Sequence, residues 1–297
     1  MKQKSKSFFA LDLLYLAMTI LPIVAGIVLK ILTTPPSGDG VSITGALIYF
    51  EIPMPIQNLL ITESQVNSWL VIIGILGLCL YMTHGINART PTARQHFAEM
   101  IVQLCDKMVV GNMGEYFASF SPFIAAILAL SGFSSLIALC GLYAPTSDIN
   151  VVGGWAILVF ILITYYKMKC GPIMYIKSLA DPVLMAPLNI IGEFATPISM
   201  AFRHYGNVLS GSVISVLLAT GLAGLSNLIL GWLPGFLGEF PFFRIGIPAV
   251  LSIYFDVFSG LLQAYIFAML TMLYVAGGFP IEEYMKRKSK KVKKQKN

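Results

Sequence analysis

Charge is what this chain of 297 residues lacks most: Asp, Glu, Lys and Arg together make up 11% of it. A water-soluble domain carries about a quarter, so a soluble globule is excluded. Cysteine is scarce as well. The four, Cys79, Cys105, Cys140 and Cys170, show no CxxC or paired spacing. They imply no disulfide framework and read as small apolar side chains in buried or lipid-facing positions. No GxxxxGK loop followed by Ser or Thr occurs, so the chain has no P-loop for a nucleoside triphosphate. No cluster of His, Cys, Asp and Glu has ligand spacing, which leaves no metal site and no cofactor motif. The two halves show no internal repeat of the kind common in self-contained transporters.

What is abundant is apolar sequence, 57% of the chain with a mean hydropathy of +0.78. The net charge of +6 misleads, because the tail 286–297 (KRKSKKVKKQKN) holds eight of the twenty basic residues. Without it twelve basic residues face fourteen acidic ones, so no basic domain for nucleic acid is present. Six apolar stretches are long enough to cross ~30 Å of hydrocarbon: residues 8–32, 68–82 (extended at its start by 61–67), 117–143, 151–166, 184–230 and 245–278. The start, MKQKSKSFF, has the basic character of a signal peptide. The apolar run behind it is long and lacks a clear cleavage site, so it is expected to stay as a helix. Residues 93–110 differ in kind. Phe97, Met100, Ile101, Leu104 and Met108 share one face and charges the other, which predicts an amphipathic helix at the interface or docked on other helices.

Basic residues orient the spans. With six crossings, one side collects Lys2, Lys4, Lys6, Arg89, Arg94, Lys107, Lys167, Lys169, Lys177 and the tail, and the other only Lys30 and Arg244. The positive-inside rule then places both termini in the cytoplasm. Histidines 84 and 96 fall at cytoplasmic turns and read as solvated. Asp148, just ahead of a span, reads as a helix cap.

The last two stretches are too long for one perpendicular crossing, so each must break or lie strongly tilted. Gly221, Gly224 and Asn227 offer a break in the first; the second reads as one long tilted helix. They hold three charges, Glu193, Arg203 and Asp256. Arginine cannot shed its proton, so Arg203 must face a carboxylate or water; an ion pair with Glu193 or Asp256 is the structural alternative. Thr196, Ser199, Arg203, Asn207 and Ser210 form one helical stripe, and Asp256, Gly260 and Gln263 a second. Small residues beside them, Gly206, Gly211 and Gly260, permit close helix approach. His204 lies about 100° off the first stripe.

Several segments are specific enough to name a family. They are PISMAFRHYGNVLSG (residues 197–211), LLQAYIFAMLTMLYVAGG (261–278), ITESQVNSWLVI (61–72), FAEMIVQLCDKMV with YFASFSPFI, and APTSDINVVGGWAILVFI (144–161). Together they resemble the subunit a family of the F-type ATP synthase membrane sector, over roughly residues 50–285. The resemblance implies an all-α membrane protein whose two long C-terminal helices form a tilted hairpin against a ring of c subunits. It implies two aqueous half-channels, with Arg203 attracting the ring carboxylate and barring direct ion passage between them. It implies the ring, the b-subunit peripheral stalk and the rest of the synthase as partners, no catalysis by the chain alone, and a place in the cell membrane. Asn207 and Gln263 match family positions. Where many members carry a Glu/His pair, this chain has Ser212 and Asp256, which leaves the outer ion route open. Ser199 belongs to the same stripe, and Glu193 is the candidate for the cytoplasmic half-channel or else an interfacial helix-start carboxylate. Four regions follow: an additional N-terminal transmembrane helix (1–35), an external loop (36–60), the subunit a domain (61–285) and a basic cytoplasmic tail (286–297). A proton is the default ion. The alternative from a different class is a self-contained secondary transporter using Asp256 and Glu193 as coupling carboxylates.

Overall fold

The computed structural model describes residues 2–34, 45–55, 57–87, 92–180, 182–232, 235, 242–279, 281 and 284–285. Arg89, the side chains of Lys2, Lys4, Lys6, Arg244 and Cys170, and the tail 286–297 lie outside them. The protein is an all-α membrane protein, and among the described residues six helices are long and apolar enough to cross a bilayer.

Helix α1 (Lys2–Thr33) runs antiparallel to α2 (Glu63–Thr83), and a small hairpin of β1 (Ile48–Ile52) and β2 (Leu59–Thr62) lies between them in sequence. Nothing in the composition pointed to that hairpin; its strands pair antiparallel and deliver Glu63 directly to the start of α2. Backbone contact sets the α1–α2 packing. A methyl group on Gly77 would sit 2.9 Å from the Met18 backbone carbon. Charge fixes both ends of α1. At one end Lys30 Nζ lies 3.0 Å from Glu63 Oε1, whose side chain is almost wholly buried. At the other, Asp12 meets His84 Nδ1 at 2.8 Å and Arg94 at 3.0 Å, while Phe8 stacks on the His84 ring. His84 is therefore not solvated as expected: it is the counter-group for an aspartate drawn into an apolar helix. His96 is exposed, as read.

Helix α3 (Ala93–Met113) has Thr92 as its N-cap, accepting from the Gln95 amide at 3.4 Å. It presents exposed Phe97, Met100, Ile101 and Leu104 on one face. A 3-10 turn leads into α4 (Ser121–Leu136). Asp148 caps α5 (Ile149–Cys170) by accepting from the Asn150 amide at 2.9 Å, and Lys167 and Lys169 sit in its last turn, where the helix dipole favours cations. Short α6 (Pro172–Ala180) turns the chain into α7 (Ala186–Leu230), 45 residues long.

The break foreseen at Gly221, Gly224 and Asn227 is absent: α7 is continuous through them. Glycine in a helix costs about 1 kcal/mol, whereas an interrupted helix in hydrocarbon strands several backbone groups without partners. At about 1.5 Å per residue α7 is roughly 68 Å long, more than twice the ~30 Å of bilayer hydrocarbon. The final stretch is one long helical run, as read, but its geometry changes along it. It comprises α8 (Phe242–Ser252), a π-helical segment Ile253–Ser259, and α9 (Gly260–Gly277). Val109, Phe117, Ile124, Val159, Met200 and Phe267 pack the core that joins α3, α4, α5, α7 and α9.

Candidate functional site

The polar stripe of α7 points mostly outward. Ser199, Arg203 and Ser210 are exposed, and Thr196 and Asn207 are half-buried. Around Arg203 the same helix exposes Phe194, Ile198 and Phe202, so one fixed cation stands on an apolar face. Among the described residues Arg203 forms no ion pair. At mid-span such a charge costs about 2.5–3.5 kcal/mol unless a partner or water meets it.

Glu193, ten residues earlier, is otherwise engaged. Lys167 Nζ, reaching across from α5, lies 2.6 and 2.8 Å from its two carboxylate oxygens, and the Tyr175 hydroxyl of α6 donates to Oε1 at 3.2 Å. Both charged side chains are mostly buried. They border a cleft of about 180 Å³ whose other walls include Phe160, Thr196, Leu273 and Tyr274. Glu193 is therefore a partnered carboxylate held between helices. The structural alternative of an Arg203–Glu193 pair is not what the structure shows.

The final helical stretch meets the first stripe beside the second, at Ser259. Asn207 Nδ2 donates to Ser259 Oγ at 2.8 Å, and the Ser259 hydroxyl donates back to Asn207 Oδ1 at 3.0 Å. Close approach depends on two of the three small residues noted in the sequence, Gly211 between α7 and the final stretch and Gly260 between that stretch and α4. A methyl on Gly211 would lie 3.0 Å from the Phe255 ring, and one on Gly260 only 2.6 Å from Ser135 Cβ. Gly206 has open space around it. Asp256 is half-buried within the π segment, whose wider turn changes the helical phase between Asp256 and Gln263. Gln263 is buried among the helices, and among the described residues no hydrogen bond joins it to Arg203. Ser212 is exposed and turns its hydroxyl back to the Leu209 carbonyl at 2.8 Å.

His204 faces the opposite way from Arg203. It is fully buried between Trp155 and Phe267, with Nε2 3.4 Å from Ser131 Oγ. Toward the β hairpin end, Glu63, Ser64, Asn67 and Asp148 form a buried polar group around Tyr143. Glu63 accepts from the Tyr143 amide at 3.2 Å, Asn67 donates to the Tyr143 carbonyl at 2.8 Å, and Ser64 bonds to Asp148. Burial, with the charges of Asp148 and Glu63 nearby, pushes the Tyr143 phenol up. The sequence reading passed over Lys167, Tyr175, Ser259 and Glu63. Lys167 counted only as an orienting charge, since its partner lies 26 residues away on another helix and no spacing rule reaches that far.

Comparison with known proteins identifies the family. The family model described as ATP synthase A chain matches residues 65–276. "ATP synthase subunit a, sodium ion specific" of Propionigenium modestum is 26% identical over 285 residues, 85% of this chain and 89% of the relative. "ATP synthase subunit a" of Desulforamulus reducens is 30% identical over 220 residues, covering 72% and 78% of the two chains. The protein of that name from Geotalea daltonii is 30% identical over 216 residues, covering 71% and 84%. With a continuous match from α2 to the end of α9, the chain belongs to the ATP synthase A chain family.

Proposed function

We propose that this chain is the stator-side ion channel of an F-type ATP synthase, carrying protons between two half-channels by way of a c-subunit ring. Arg203 draws the ionised ring carboxylate and blocks a direct shunt, so an ion must ride the ring, and its passage drives rotation. Glu193 and Thr196 line the half-channel at the basic, cytoplasmic end. Ser199 continues that line toward the arginine, and Asn207, Gln263, Asp256 and Ser212 line the route between the arginine and the outer side. Both termini lie in the cytoplasm, and the chain itself catalyses no reaction; ATP chemistry belongs to other subunits. The b-subunit stalk holds it against the ring in the cell membrane.

The observation that carries this reading is the setting of Arg203: a permanent cation on an exposed apolar helix face, with no ion pair among the described residues. A ring carboxylate supplies the missing charge. The family match supports ion movement within an ATP synthase, and a relative named as sodium ion specific makes the ion worth measuring. ATP-driven acidification of inverted vesicles holding the assembled complex tests both. Arg203→Ala is expected to assemble and to lose pumping; normal pumping by it would return Arg203 to a structural role. Sodium uptake undiminished by a protonophore would reassign the ion.

A further inference from the structure

We propose that Lys167 is a latch on the cytoplasmic half-channel: its ammonium closes the cleft by holding Glu193, and ion passage requires the pair to separate. The inference rests on the reading of Glu193 given above and adds a residue to it.

The geometry argues as follows. Lys167 occupies both oxygens of Glu193 at once, and Tyr175 takes a further position on Oε1. A carboxylate so engaged has little capacity left for water or an incoming ion. The three groups come from three helices, α5, α6 and α7, so the contact is set by tertiary packing and not by one helix's own spacing. The cleft they border also includes Thr196, which lies three residues beyond Glu193 and begins the stripe that continues through Ser199 to Arg203. Lys167 thus sits at the mouth of a polar line that ends at the arginine. The pair is not wholly sealed: Lys167 and Glu193 retain 24% and 15% exposure, so separation exposes charge to a neighbouring aqueous space.

The test reads access to the cleft. Thr196→Cys is placed in the assembled complex, and its labelling by a charged, membrane-impermeant methanethiosulfonate is followed by mass spectrometry of the peptide carrying that position. In the parent, labelling from the cytoplasmic side is expected to be slow. Lys167→Met should accelerate it about tenfold, and Lys167→Arg should leave it slow. Passive proton conductance per assembled complex should rise in Lys167→Met vesicles stripped of the peripheral ATPase sector. If Lys167→Met impairs assembly, Lys167→Met with Glu193→Gln removes the charge pair together, and fast labelling is again expected. Slow labelling in an assembled Lys167→Met or double variant overturns the latch. Labelling of the parent from the outer side only would instead overturn the assignment of Glu193 to the cytoplasmic half-channel, a separate failure.

Discussion

At the scale of single residues, Arg203 and Gly260 show opposite kinds of constraint. Arg203 is demanded by charge, and its surroundings are left open toward whatever meets it. Gly260 is demanded by space. A methyl there would sit 2.6 Å from Ser135 Cβ, an atom that cannot swing aside. Gly260→Ala is therefore expected to lower the stability of the assembled chain by about 1–3 kcal/mol, read as a fall in Tm of the detergent-solubilised complex. Adding Ser135→Gly should restore most of it. Cys105 offers a pH readout away from the spans. Burial, with Asp106 beside it, pushes the Cys105 thiol up. The thiolate is the reactive form, so alkylation by iodoacetamide should remain slow at pH 7 and 8. It should climb only above the pH at which an ordinary thiol ionises. Mass-spectrometric labelling across pH 7–10 checks this, and a rate matching a free thiol at pH 8 would contradict the burial.

At the scale of elements, hydrophobic length was enough to find the six spans among the described residues, because a bilayer leaves few alternatives to a long apolar helix. What sequence could not show was how a helix absorbs its irregularities. The glycines of α7 are carried without a break, while α8 and α9 are joined through a π turn at a place marked by neither Gly nor Pro between Pro248 and Gly260. That outcome depends on neighbouring helices, through contacts such as Asn207 with Ser259. Helix α1 makes the same point for charge. Its Lys30 is the counter-ion of buried Glu63, so Lys30→Met should cost about 2 kcal/mol, less than a fully buried pair because Lys30 is partly exposed. The double variant Lys30→Met with Glu63→Gln should recover most of the loss. Thermal unfolding of the purified complex measures both, and equal Tm values for parent and Lys30→Met would show that the pair contributes nothing.

At the scale of the whole molecule, the site is assembled from distant parts, and its legibility divides accordingly. Arg203, Asn207 and Glu193 stood out because charge and amide are rare in lipid. Lys167 and Tyr175 did not, since a lysine or tyrosine near a helix end is ordinary until its partner is known. The proposed dependence of transport on the ring is testable. Purified protein reconstituted alone should show no proton uptake under an imposed membrane potential, whereas the ring-containing sector should. Transport by the lone chain would favour a self-contained carrier. The two charged fastenings of α1 also imply an order of biosynthesis. Asp12 waits for Arg94, 82 residues later, while Lys30 finds Glu63 as soon as α2 begins. As the ribosome delivers the chain, the first hairpin can therefore close at its Lys30–Glu63 end before its Asp12–Arg94 end, and the aspartate is made well ahead of the cation that will accompany it.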